Sequence, residues 1–399
     1  MVSLRHLYLS HVAQTGKFPL LLEVERAEGM YIFDTHGKKY LDLNSGISVS
    51  SIGHCHPEVV KAVQNQAKRY MHTMVYGEHI QNPQVELAIA LTSLLHMSLN
   101  QVYFLNSGSE GVEAAIKLAR KYTGRPKIIA CSRAYHGSTI GAESLRSDWN
   151  FKRHFSPGIP GVVHVDYNDF DALRQLDGNF AAFILEPVQA EAGIRIPENQ
   201  YLQKVREFCT RNGILMVLDE IQTGFGRTGS WFAHQKYDVV PDILLLGKSM
   251  GGGMPISAIV SDRKILSSFV KDPELGHITT FGGHPVCCAA SNASIRVLQS
   301  TSLIEEVAQK EKLFLTLLKH EIIEEVRSAG LMMAVQLTQR KYLKYAVSNI
   351  IEKGALVDYF LFDDRSFRLA PPLIITESQI YEACDIIQEA LDWAASRFK

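Results

Sequence analysis

The hydrophobic residues in the middle of the chain form short continuous runs separated by longer amphipathic stretches. We predict strands at these runs, which are Val102–Leu105, Lys127–Cys131, Val162–Val165, Ala181–Leu185, Ile214–Leu218, Asp242–Leu246 and Ile256–Val260. The runs do not alternate with polar residues, so both faces of each strand should be buried. Glu110–Tyr122 and Gln200–Asn212 have helical periodicity, and Gly213 is well placed to end the second helix. Strands that alternate with helices predict an α/β fold with a mostly parallel sheet flanked by helices.

The pattern changes after about residue 295, where long charged helical stretches flank short strands. It predicts helices at Leu303–Glu325 and Glu377–Lys399 and strands at Met332–Gln336 and Ser366–Leu369. Near the N-terminus, Met30–Leu43 alternates like a strand, and Thr35–Lys38 interrupts it like a hairpin turn. We expect this hairpin to pack with the C-terminal part. The sequence therefore predicts a large domain of residues 46–295 and a smaller α+β domain formed by residues 1–45 and 296–399.

Composition narrows the range of partners. The 399 residues carry a formal net charge of −1, without the basic excess expected for binding to nucleic acid or to an anionic membrane. No apolar run is long enough to span a membrane, and the N-terminus lacks the apolar segment of a secretory signal. The six cysteines include no CxxC pair, which indicates reduced thiols. We predict a cytoplasmic protein that binds neither nucleic acid nor membrane.

The strongest chemical signal is a lysine at the end of a predicted strand. The strand that begins at Asp242 leads through Gly247 to Lys248, and a glycine-rich turn follows. Ligands bind at the carboxyl ends of strands in open α/β sheets, and a lysine there can form a Schiff base if its amine is kept neutral. The alternative is an ordinary surface lysine that begins a loop.

Two further strand ends carry suitable chemistry. The strand at Ile214–Leu218 leads directly into Asp219, whose carboxylate could keep a pyridine nitrogen protonated, although a lone aspartate is more often a helix cap. The run Asn106-Ser107-Gly108-Ser109 lies between a strand and a helix, where free N–H groups bind anions such as phosphate. Plain helix capping would also explain these serines. Each signal is weak alone, but together they provide a phosphate site, an acid and an amine.

With these residues in place, the chain resembles the class III aminotransferases of fold type I, the ornithine, acetylornithine and 4-aminobutyrate type. The resemblance covers nearly the whole length. Its most specific parts are Lys248 and the run Asp219–Gly229, which reads Asp-Glu-Ile-Gln-Thr-Gly-Phe-Gly-Arg-Thr-Gly. The other matching motifs, in chain order, are residues 29–42, 53–57, 106–110, 135–137, 186–189, 280–283 and 368–373.

This resemblance implies pyridoxal 5′-phosphate as the cofactor and a ping-pong transfer of an amino group to a keto acid. Lys248 would bind the cofactor covalently and later move a proton between the substrate Cα and the cofactor C4′. Asp219 would pair with the pyridine nitrogen. Tyr135 and Ile221 would cover the two faces of the ring, and Gln222 would hydrogen-bond its phenolic oxygen.

The resemblance also implies a phosphate site, a homodimer and a substrate switch. Gly108 and Ser109 would bind the phosphate, and Thr280 would reach the phosphate of the partner subunit. Arg368 would bind a substrate carboxylate, and Glu191 would pair with Arg368 until the second substrate arrives. The remaining expected site residues are Ser107, His136 and Glu186 at the cofactor and Ile47 and Ser138 at the substrate.

One departure from the family pattern concerns the substrate. Ornithine- and acetylornithine-type members carry an arginine where this chain has Ser138, and a serine cannot bind a second carboxylate as a bidentate charged partner. Gly46–His54, by contrast, looks like the acetylornithine enzymes. Either another arginine substitutes, with Arg133, Arg146 and Arg195 as candidates, or the donor is a different ω-amino acid or an amine. The acceptor is expected to be 2-oxoglutarate, with pyruvate as the alternative.

Other classes of function fit less well. A metal hydrolase would need His54, Cys55 and His56 to converge with His136 or His284, but His54 and His56 would point to opposite sides of an extended chain. We expect a turn and a helix cap there. A non-catalytic binding protein is disfavoured because the lysine, the acid and the phosphate loop are all present. An aminomutase of the glutamate-semialdehyde type, or a decarboxylase of the same fold, remains an alternative.

Overall fold

The computed structural model describes residues 2–176 and 178–398. The strands are β1 (Val24–Glu28), β2 (Tyr31–Asp34), β3 (Lys39–Asp42), β4 (Gln101–Leu105), β5 (Lys127–Cys131), β6 (Val162–Val165), β7 (Phe180–Leu185), β8 (Leu215–Asp219), β9 (Ile243–Leu246), β10 (Ser257–Ser261), β11 (Ile323–Ser328), β12 (Met333–Leu337), β13 (Ala355–Leu356), β14 (Asp358–Tyr359) and β15 (Ser366–Leu369).

Helices of very different lengths connect these strands. They are α1 (Leu4–His11), α2 (Ser45–Ser48), α3 (Pro57–Arg69), α4 (Asn82–Ser93), α5 (Gly108–Thr123), α6 (Ile140–Ser144), α7 (Trp149–Lys152), α8 (Phe170–Arg174), α9 (Tyr201–Asn212), α10 (Ala233–Lys236), α11 (Arg263–Leu266), α12 (Pro285–Ser300), α13 (Val307–Leu317), α14 (Arg340–Lys353) and α15 (Glu377–Ser396). Single 3₁₀ turns occupy Arg153–Phe155, Lys248–Gly251 and Ser267–Val270. No helix among the described residues is long and apolar enough to cross a membrane.

The central sheet contains the seven predicted strands, in the order β4-β10-β9-β8-β7-β5-β6. β10 is antiparallel to both its neighbours, and the five strands from β9 to β6 are parallel. Each predicted boundary is correct to within one residue. β7 to β10 are buried along their whole length, as their continuous hydrophobic runs predicted. The prediction of a mostly parallel α/β sheet is confirmed.

The two predicted helices beside this sheet are also present. α5 begins after Ser107, whose Oγ accepts a hydrogen bond from the Glu110 N–H at 3.3 Å, as in an N-cap. The Glu110 carboxylate in turn accepts a hydrogen bond from the Asn106 N–H at 2.9 Å. α9 ends at Gly213, which has φ of +61°, the left-handed conformation predicted for a C-cap glycine.

The single helix predicted at Leu303–Glu325 is wrong. Only α13, Val307–Leu317, is helical, and Ile323–Ser328 forms the edge strand β11, which pairs antiparallel with β12. β11 has one sheet neighbour, and Glu324 and Glu325 are exposed, so the polar sequence resembled that of a surface helix. The helix predicted at the C-terminus is present as α15, and its predicted last residue, Lys399, lies outside the described part of the chain.

The N-terminal hairpin is present and pairs with the C-terminal part. β2 and β3 are antiparallel, and β3 pairs in parallel with β13 to complete a sheet of order β1-β2-β3-β13. A second four-stranded sheet has the order β11-β12-β15-β14. In the proposed division into two domains, both four-stranded sheets belong to the small domain. Because α12 continues to Ser300, we propose that the boundary follows this helix rather than residue 295.

Candidate active site

Five strands of the central sheet deliver polar residues to one edge. The segments after the carboxyl ends of β4, β5, β7, β8 and β9 line a cavity of about 190 Å³. The residues that line it are Gly108, Ser109, Tyr135, His136, Gly137, Glu186, Asp219, Ile221, Gln222 and Lys248. Parallel strands bring their carboxyl ends to the same edge, which explains why residues more than 100 positions apart meet here.

Lys248 enters this cavity from a strained turn. It follows Gly247 at the end of β9 and has φ of +45°, a conformation that costs a non-glycine residue about 1–3 kcal/mol. Among the described residues, none forms a hydrogen bond or an ion pair with its Nζ. Burial lowers the pKa of the amine to about 8, although Glu191 and Asp219 oppose the shift. About a tenth of the amine is therefore neutral at pH 7, far more than in an ordinary lysine, and the neutral form is the nucleophile.

Asp219 and His136 form a buried pair on the floor of the cavity. Asp219 Oδ2 lies 2.7 Å from His136 Nδ1, and its Oδ1 accepts a hydrogen bond from the Ile221 N–H at 3.0 Å. Burial acts to lower the pKa of His136, but the hydrogen bond and the charge of Asp219 outweigh burial, so the pKa is raised. The raised pKa of His136 favours an imidazole that carries a positive charge beside the carboxylate. His136 Nε2 is buried and has no hydrogen-bond partner among the described residues.

Glu186 is a second buried acid, in the loop after β7. Its carboxylate accepts hydrogen bonds from the Ala190 N–H at 2.9 Å and the Tyr135 N–H at 3.4 Å. Burial raises its pKa to about 7, against the effect of the His136 charge. Glu186 thus ties the Tyr135 loop to the segment that carries Glu191.

The opposite end of the cavity is built for an anion. Gly108 and Ser109 begin α5, so the first N–H groups of a sixteen-residue helix point toward the cavity. The Ser138 N–H donates a hydrogen bond to Ser109 Oγ at 3.3 Å. Ser107 does not line the cavity, because its side chain caps α5 and its carbonyl accepts a hydrogen bond from Ser257 Oγ.

Tyr135, Ile221 and Gln222 line the walls between these two ends. Ile221 packs so closely on Gly108 that a Cβ at that glycine would lie 2.8 Å from Ile221 Cδ1. Gln222 Oε1 is buried and lacks a hydrogen-bond partner among the described residues. An unpartnered buried oxygen is costly, so its position indicates that a bound molecule donates a hydrogen bond to it.

Arg368 and Glu191, the two residues of the predicted substrate switch, form a buried ion pair. Arg368 Nη2 lies 2.5 Å from Glu191 Oε1, and the two side chains are 1% and 7% exposed. Glu191 Oε2 accepts a hydrogen bond from the Leu361 N–H, and the guanidinium lies over the Phe360 ring at 4.6 Å. Arg368 Nε has no partner among the described residues. The arginine is therefore available for another acceptor if the glutamate moves away.

Three other predicted residues lie outside this cavity. Thr280 is exposed, beside the exposed side chain of Phe281. Ile47 is half-buried and has φ of +61° inside the irregular segment α2. Ser138 is exposed, and its Oγ lies 3.4 Å from the hydroxyl of Tyr135. Within this chain, none of the three contributes to the cavity.

One residue of the site was missed by sequence reasoning. Gly137 lines the cavity with φ of +130°, and a Cβ there would lie only 2.1 Å from Ser109 Oγ. The position requires glycine for two reasons, a conformation open to glycine and the close approach of another loop. Its place between His136 and Ser138 in the quoted motif was the available signal.

The histidines of the metal alternative have structural roles instead. His54 Nε2 lies 2.7 Å from Asp42 Oδ2, and His56 caps α3 by accepting a hydrogen bond from the Glu58 N–H. The prediction of a helix cap at this segment is confirmed. Within residues 2–176 and 178–398, no group of three or more His, Cys, Asp or Glu side chains could hold a metal ion.

Comparison with known proteins decides the family. The sequence profile described as "Aminotransferase class-III" matches residues 12–391. The chain belongs to the class III aminotransferases. It is 40% identical to the acetylornithine aminotransferase of Methanopyrus kandleri over 96% of both chains. It is 36% identical to ornithine aminotransferase 1 of Staphylococcus aureus, with 93% of this chain and 95% of that protein covered.

Solved structures agree with this assignment. A transaminase from a marine Virgibacillus superposes with a TM-score of 0.93 at 28% identity, over 99% of this chain and all of the other. The ornithine aminotransferase of Toxoplasma gondii gives 0.89 at 30% identity, over 98% and 94% of the two chains, and one structure of it is described with partial occupancy of pyridoxal phosphate at the active site. The class III aminotransferase is therefore a pyridoxal-phosphate-dependent transaminase.

The cavity fits this cofactor. An unpartnered amine at Lys248, the acid Asp219 and the free Gln222 Oε1 surround a space whose far end is a helix N-terminus. These groups match an aldehyde, a ring nitrogen, a phenolic oxygen and a phosphate, which are the polar groups of pyridoxal phosphate.

Proposed function

We propose that this transaminase transfers the terminal amino group of an ω-amino acid of the ornithine or acetylornithine type to 2-oxoglutarate. The observation that carries the proposal is the unpartnered Lys248 amine, which lies in one cavity with Asp219 and beside the buried Arg368–Glu191 pair. The relatives named acetylornithine and ornithine aminotransferase support the donor class. 2-Oxoglutarate carries two carboxylates, and either can bind an arginine. It therefore suits a site in which Arg368 becomes free when Glu191 moves away.

The cofactor would be held at three points. Asp219, fixed by His136, would accept the ring N–H, and Gln222 would face the phenolic oxygen. The N-terminus of α5 at Gly108 and Ser109 would bind the phosphate. Tyr135 and Ile221 would enclose the ring from its two sides, which excludes water from the reacting carbon. When bound, pyridoxal phosphate supplies an electron sink for the pair released from the substrate Cα–H bond.

Lys248 would serve as the cofactor's covalent anchor and then as the proton carrier. Once a substrate amine has displaced it, its neutral amine can accept the Cα proton and return a proton to the neighbouring carbon. The pKa of about 8 lets the same group act as base and acid near neutral pH. Asp219, held by its contact with His136, would face the ring nitrogen and favour its protonated form.

Glu191 and Arg368 would allow one site to accept two different substrates in turn. While the pair is closed, the arginine charge is neutralised, and a donor that reacts through its terminal amine needs no carboxylate there. When 2-oxoglutarate enters, its carboxylate would replace Glu191 on Arg368. Such a charge-assisted bidentate contact is worth several kcal/mol in a buried site.

The donor's own carboxylate needs a different partner, because Ser138 replaces the expected arginine. Of the three candidates, Arg146 contacts the site: its guanidinium lies 5.2 Å from the centre of the Tyr135 ring and is 7% exposed. It forms an ion pair with Glu143 at 3.2 Å, but its Nε has no hydrogen-bond partner among the described residues, so part of the guanidinium could still bind a carboxylate. Arg133 and Arg195 line a separate cavity. We propose Arg146 as the nearest substitute.

We propose a homodimer in which Thr280 completes the partner's site. Thr280 is exposed and does not reach the cavity of its own chain. Large apolar side chains are exposed in its own segment and in residues 71–80, and His72 contacts Phe281 with ring centres 4.9 Å apart. These exposed side chains are Met71, Met74, Tyr76, Ile80, Leu275, Ile278 and Phe281. A surface of this kind is typical of a contact between subunits. With all six cysteines as free thiols, we further propose a cytoplasmic location.

Lys248→Ala tests the catalytic assignment. We expect loss of turnover, and borohydride reduction followed by peptide mapping should fix the cofactor at residue 248 only in the wild type. Lys236→Ala, at an exposed lysine, is the control and should behave as wild type. Turnover or label retained in Lys248→Ala would exclude this lysine as the anchor.

A donor screen tests the reaction. The holoenzyme is mixed with acetylornithine, ornithine, 4-aminobutyrate, lysine or a simple amine, each labelled with ¹⁵N at the reacting amine, and with 2-oxoglutarate. Label should appear in glutamate for the first two donors. Label that stays in an isomerised donor would indicate an aminomutase, and release of carbon dioxide would indicate a decarboxylase.

Mixed dimers test the role of Thr280. Lys248→Ala and Thr280→Ala are refolded or exchanged together, so that a hybrid dimer contains one intact site. With equal amounts of the two variants, about half of the dimers are hybrids, and each hybrid has one intact site of two. The mixture should therefore recover about a quarter of the wild-type activity. Activity no greater than the average of the two parents would show that Thr280 acts within its own chain.

A further inference from the structure

A second and much larger cavity lies on the far side of the Glu191 segment. Its volume is about 920 Å³, and it opens to solvent between the loops after β5 and β7 and the region around β11 and β14. Its basic lining residues are Arg133, Arg195, Arg327 and Arg365. The proposed transamination uses none of these four side chains.

Two of the four arginines are already neutralised. Arg327 donates to Asp363 Oδ2 at 2.6 Å, to Gln336 Oε1 and to the Gly193 carbonyl. All three nitrogens of its guanidinium therefore already have acceptors. Arg365 donates to Glu324 Oε2 at 2.6 Å. These two side chains hold the wall of the cavity and are not free to bind a ligand.

The other two arginines have no such partners. Among the described residues, none forms a side-chain hydrogen bond or an ion pair with the guanidinium of Arg133 or Arg195. Both are half-buried and line the same cavity. Burial lowers the pKa of Arg195, and the neighbouring charges of Arg133 and Arg327 lower it further, while the charges of Asp363 and Asp166 act in the opposite direction. Two like charges that line one cavity, neither of them in an ion pair, leave a positive potential that an anion would relieve.

The backbone fixes the positions of these arginines. Gln189 exchanges two backbone hydrogen bonds of 2.9 Å with Arg195, and its Nε2 donates to the carbonyl of Ser132 at 2.8 Å. One buried residue thereby joins the two loops. Arg133 has φ of +59°, a strained conformation that persists only where the surroundings impose it. Gly193, two residues before Arg195, packs on the Arg327–Asp363 pair so tightly that a Cβ would lie 2.2 Å from Asp363 Oδ2.

The acids of this cavity do not cancel the two charges. Asp363 and Glu325 pair with Arg327, and Asp364 pairs with Arg340 outside the cavity. Glu198 is the remaining acid of the lining, and it is exposed at the rim. Asp166, outside the lining, also acts on Arg195, but it is exposed and forms no ion pair with either arginine, so a net positive charge remains beside Arg133 and Arg195.

We propose that Arg133 and Arg195 form an anion-binding site, separate from the catalytic cavity, for a phosphate or carboxylate group. Both anions match the planar fork of a guanidinium, and two forks suit a group with at least two acidic oxygens. The anion could be a free phosphate or the remote carboxylate of a substrate bound across the Glu191 segment. The observations behind this site do not depend on the proposed donor, because neither arginine is among the residues assigned to the cofactor or to the reacting amine.

Titration of the holoenzyme with inorganic phosphate tests the site. The bound cofactor occupies the phosphate pocket at Gly108, so binding measured by calorimetry and ³¹P NMR reports on other sites. We expect saturable binding by the wild type. Because a charge-assisted contact is lost, Arg195→Gln and Arg133→Gln should each weaken binding about tenfold or more. Arg365→Gln removes the same charge from the same cavity, but from a paired side chain, and should change the affinity less than about threefold.

A kinetic arm distinguishes the two sources of the anion. If a substrate carboxylate is the ligand, Arg195→Gln raises the KM of carboxylate-bearing donors but not of a simple amine. If free phosphate is the ligand, these KM values stay at the wild-type level while phosphate binding is lost. Absence of saturable phosphate binding in the wild type together with unchanged KM values would overturn the proposal. So would equal weakening in Arg195→Gln and Arg365→Gln, which would show only a general effect of charge.

Discussion

Arg368→Gln should destabilise the protein although the arginine belongs to the substrate site. The substitution leaves the Glu191 carboxylate, 7% exposed, without its charged partner. Breaking a buried ion pair on one side costs about 3–5 kcal/mol, because the remaining charge stays desolvated. Unfolding entropies of about 2.1 cal/mol/K per residue give a chain of this length about 0.8 kcal/mol per degree. The expected loss is therefore about 4–6 °C in Tm.

The assay is a double-mutant cycle on the holoenzyme by differential scanning calorimetry at one scan rate. Arg368→Gln and Glu191→Gln are measured singly and together, and the double variant should recover at least half of the loss, since two neutral amides replace the two charges. Arg365→Gln serves as the matched control. Its pair with Glu324 is 40% and 45% exposed, and such pairs contribute about 0–1 kcal/mol.

Two outcomes would refute this reasoning. If Arg368→Gln lowers Tm no more than Arg365→Gln does, the pair is not desolvated in the working protein. If the double variant shows the sum of the two single losses, the two side chains do not interact. The kinetic counterpart is a KM for 2-oxoglutarate raised about a hundredfold in Arg368→Gln, with cofactor binding unchanged.

Three other predictions follow from the catalytic cavity. Burial lowers the pKa of Lys248 to about 8, so the rate at which the apoenzyme captures pyridoxal phosphate should rise with pH only to about pH 8. The rate for the side-chain amine of free Nα-acetyl-lysine should keep rising toward pH 10.5. The same pH dependence for both amines would contradict this prediction. At pH 7 the shift makes the neutral amine about 300-fold more abundant than in an ordinary lysine. Gly137→Ala should displace Ser109 and weaken cofactor binding at least about tenfold, as measured by equilibrium dialysis. Gly253 also has a positive φ, +104°, but open space around it, so Gly253→Ala is the control and should leave cofactor binding unchanged. Burial raises the pKa of Glu186 to about 7 from 4.5, so the folded apoenzyme keeps a proton that the unfolded chain loses, and stability should fall as pH rises across this range. Glu186→Gln should flatten that fall in Tm, and an unchanged slope would exclude the assignment.

The sequence predicted the central sheet well because burial on both faces leaves a local signature. β7 and β8 are continuous apolar runs whose ends are marked by the first polar residue, so their boundaries were nearly correct. β11 failed for the opposite reason. Glu324 and Glu325 are exposed at a sheet edge, and only the pairing with β12 makes this segment a strand. Pairing with a distant segment is not visible in a local pattern.

The cofactor side of the site was predictable on the same grounds. Asp219 and Lys248 each lie within two residues of a strand end, so predicting the strands also placed the side chains. Gly137 was missed because its contribution is the absence of a side chain. The free state of Arg133 and Arg195 could not be predicted either, since it depends on which acids already have partners elsewhere in the fold.

Substrate selection is encoded differently from cofactor binding. Glu191 follows β7 of the central sheet, while Arg368 belongs to β15 of another sheet, 177 residues further along the chain. The switch therefore exists only while the two sheets keep their relative position, whereas Lys248 and Asp219 are fixed by adjacent strands of one sheet. A change at the contact between the sheets, such as the loss of the Arg327 hydrogen bond to the Gly193 carbonyl, should alter the KM for the keto acid before it alters cofactor binding. Variation of specificity among proteins with this fold can arise at such contacts without any change in the residues that hold the cofactor.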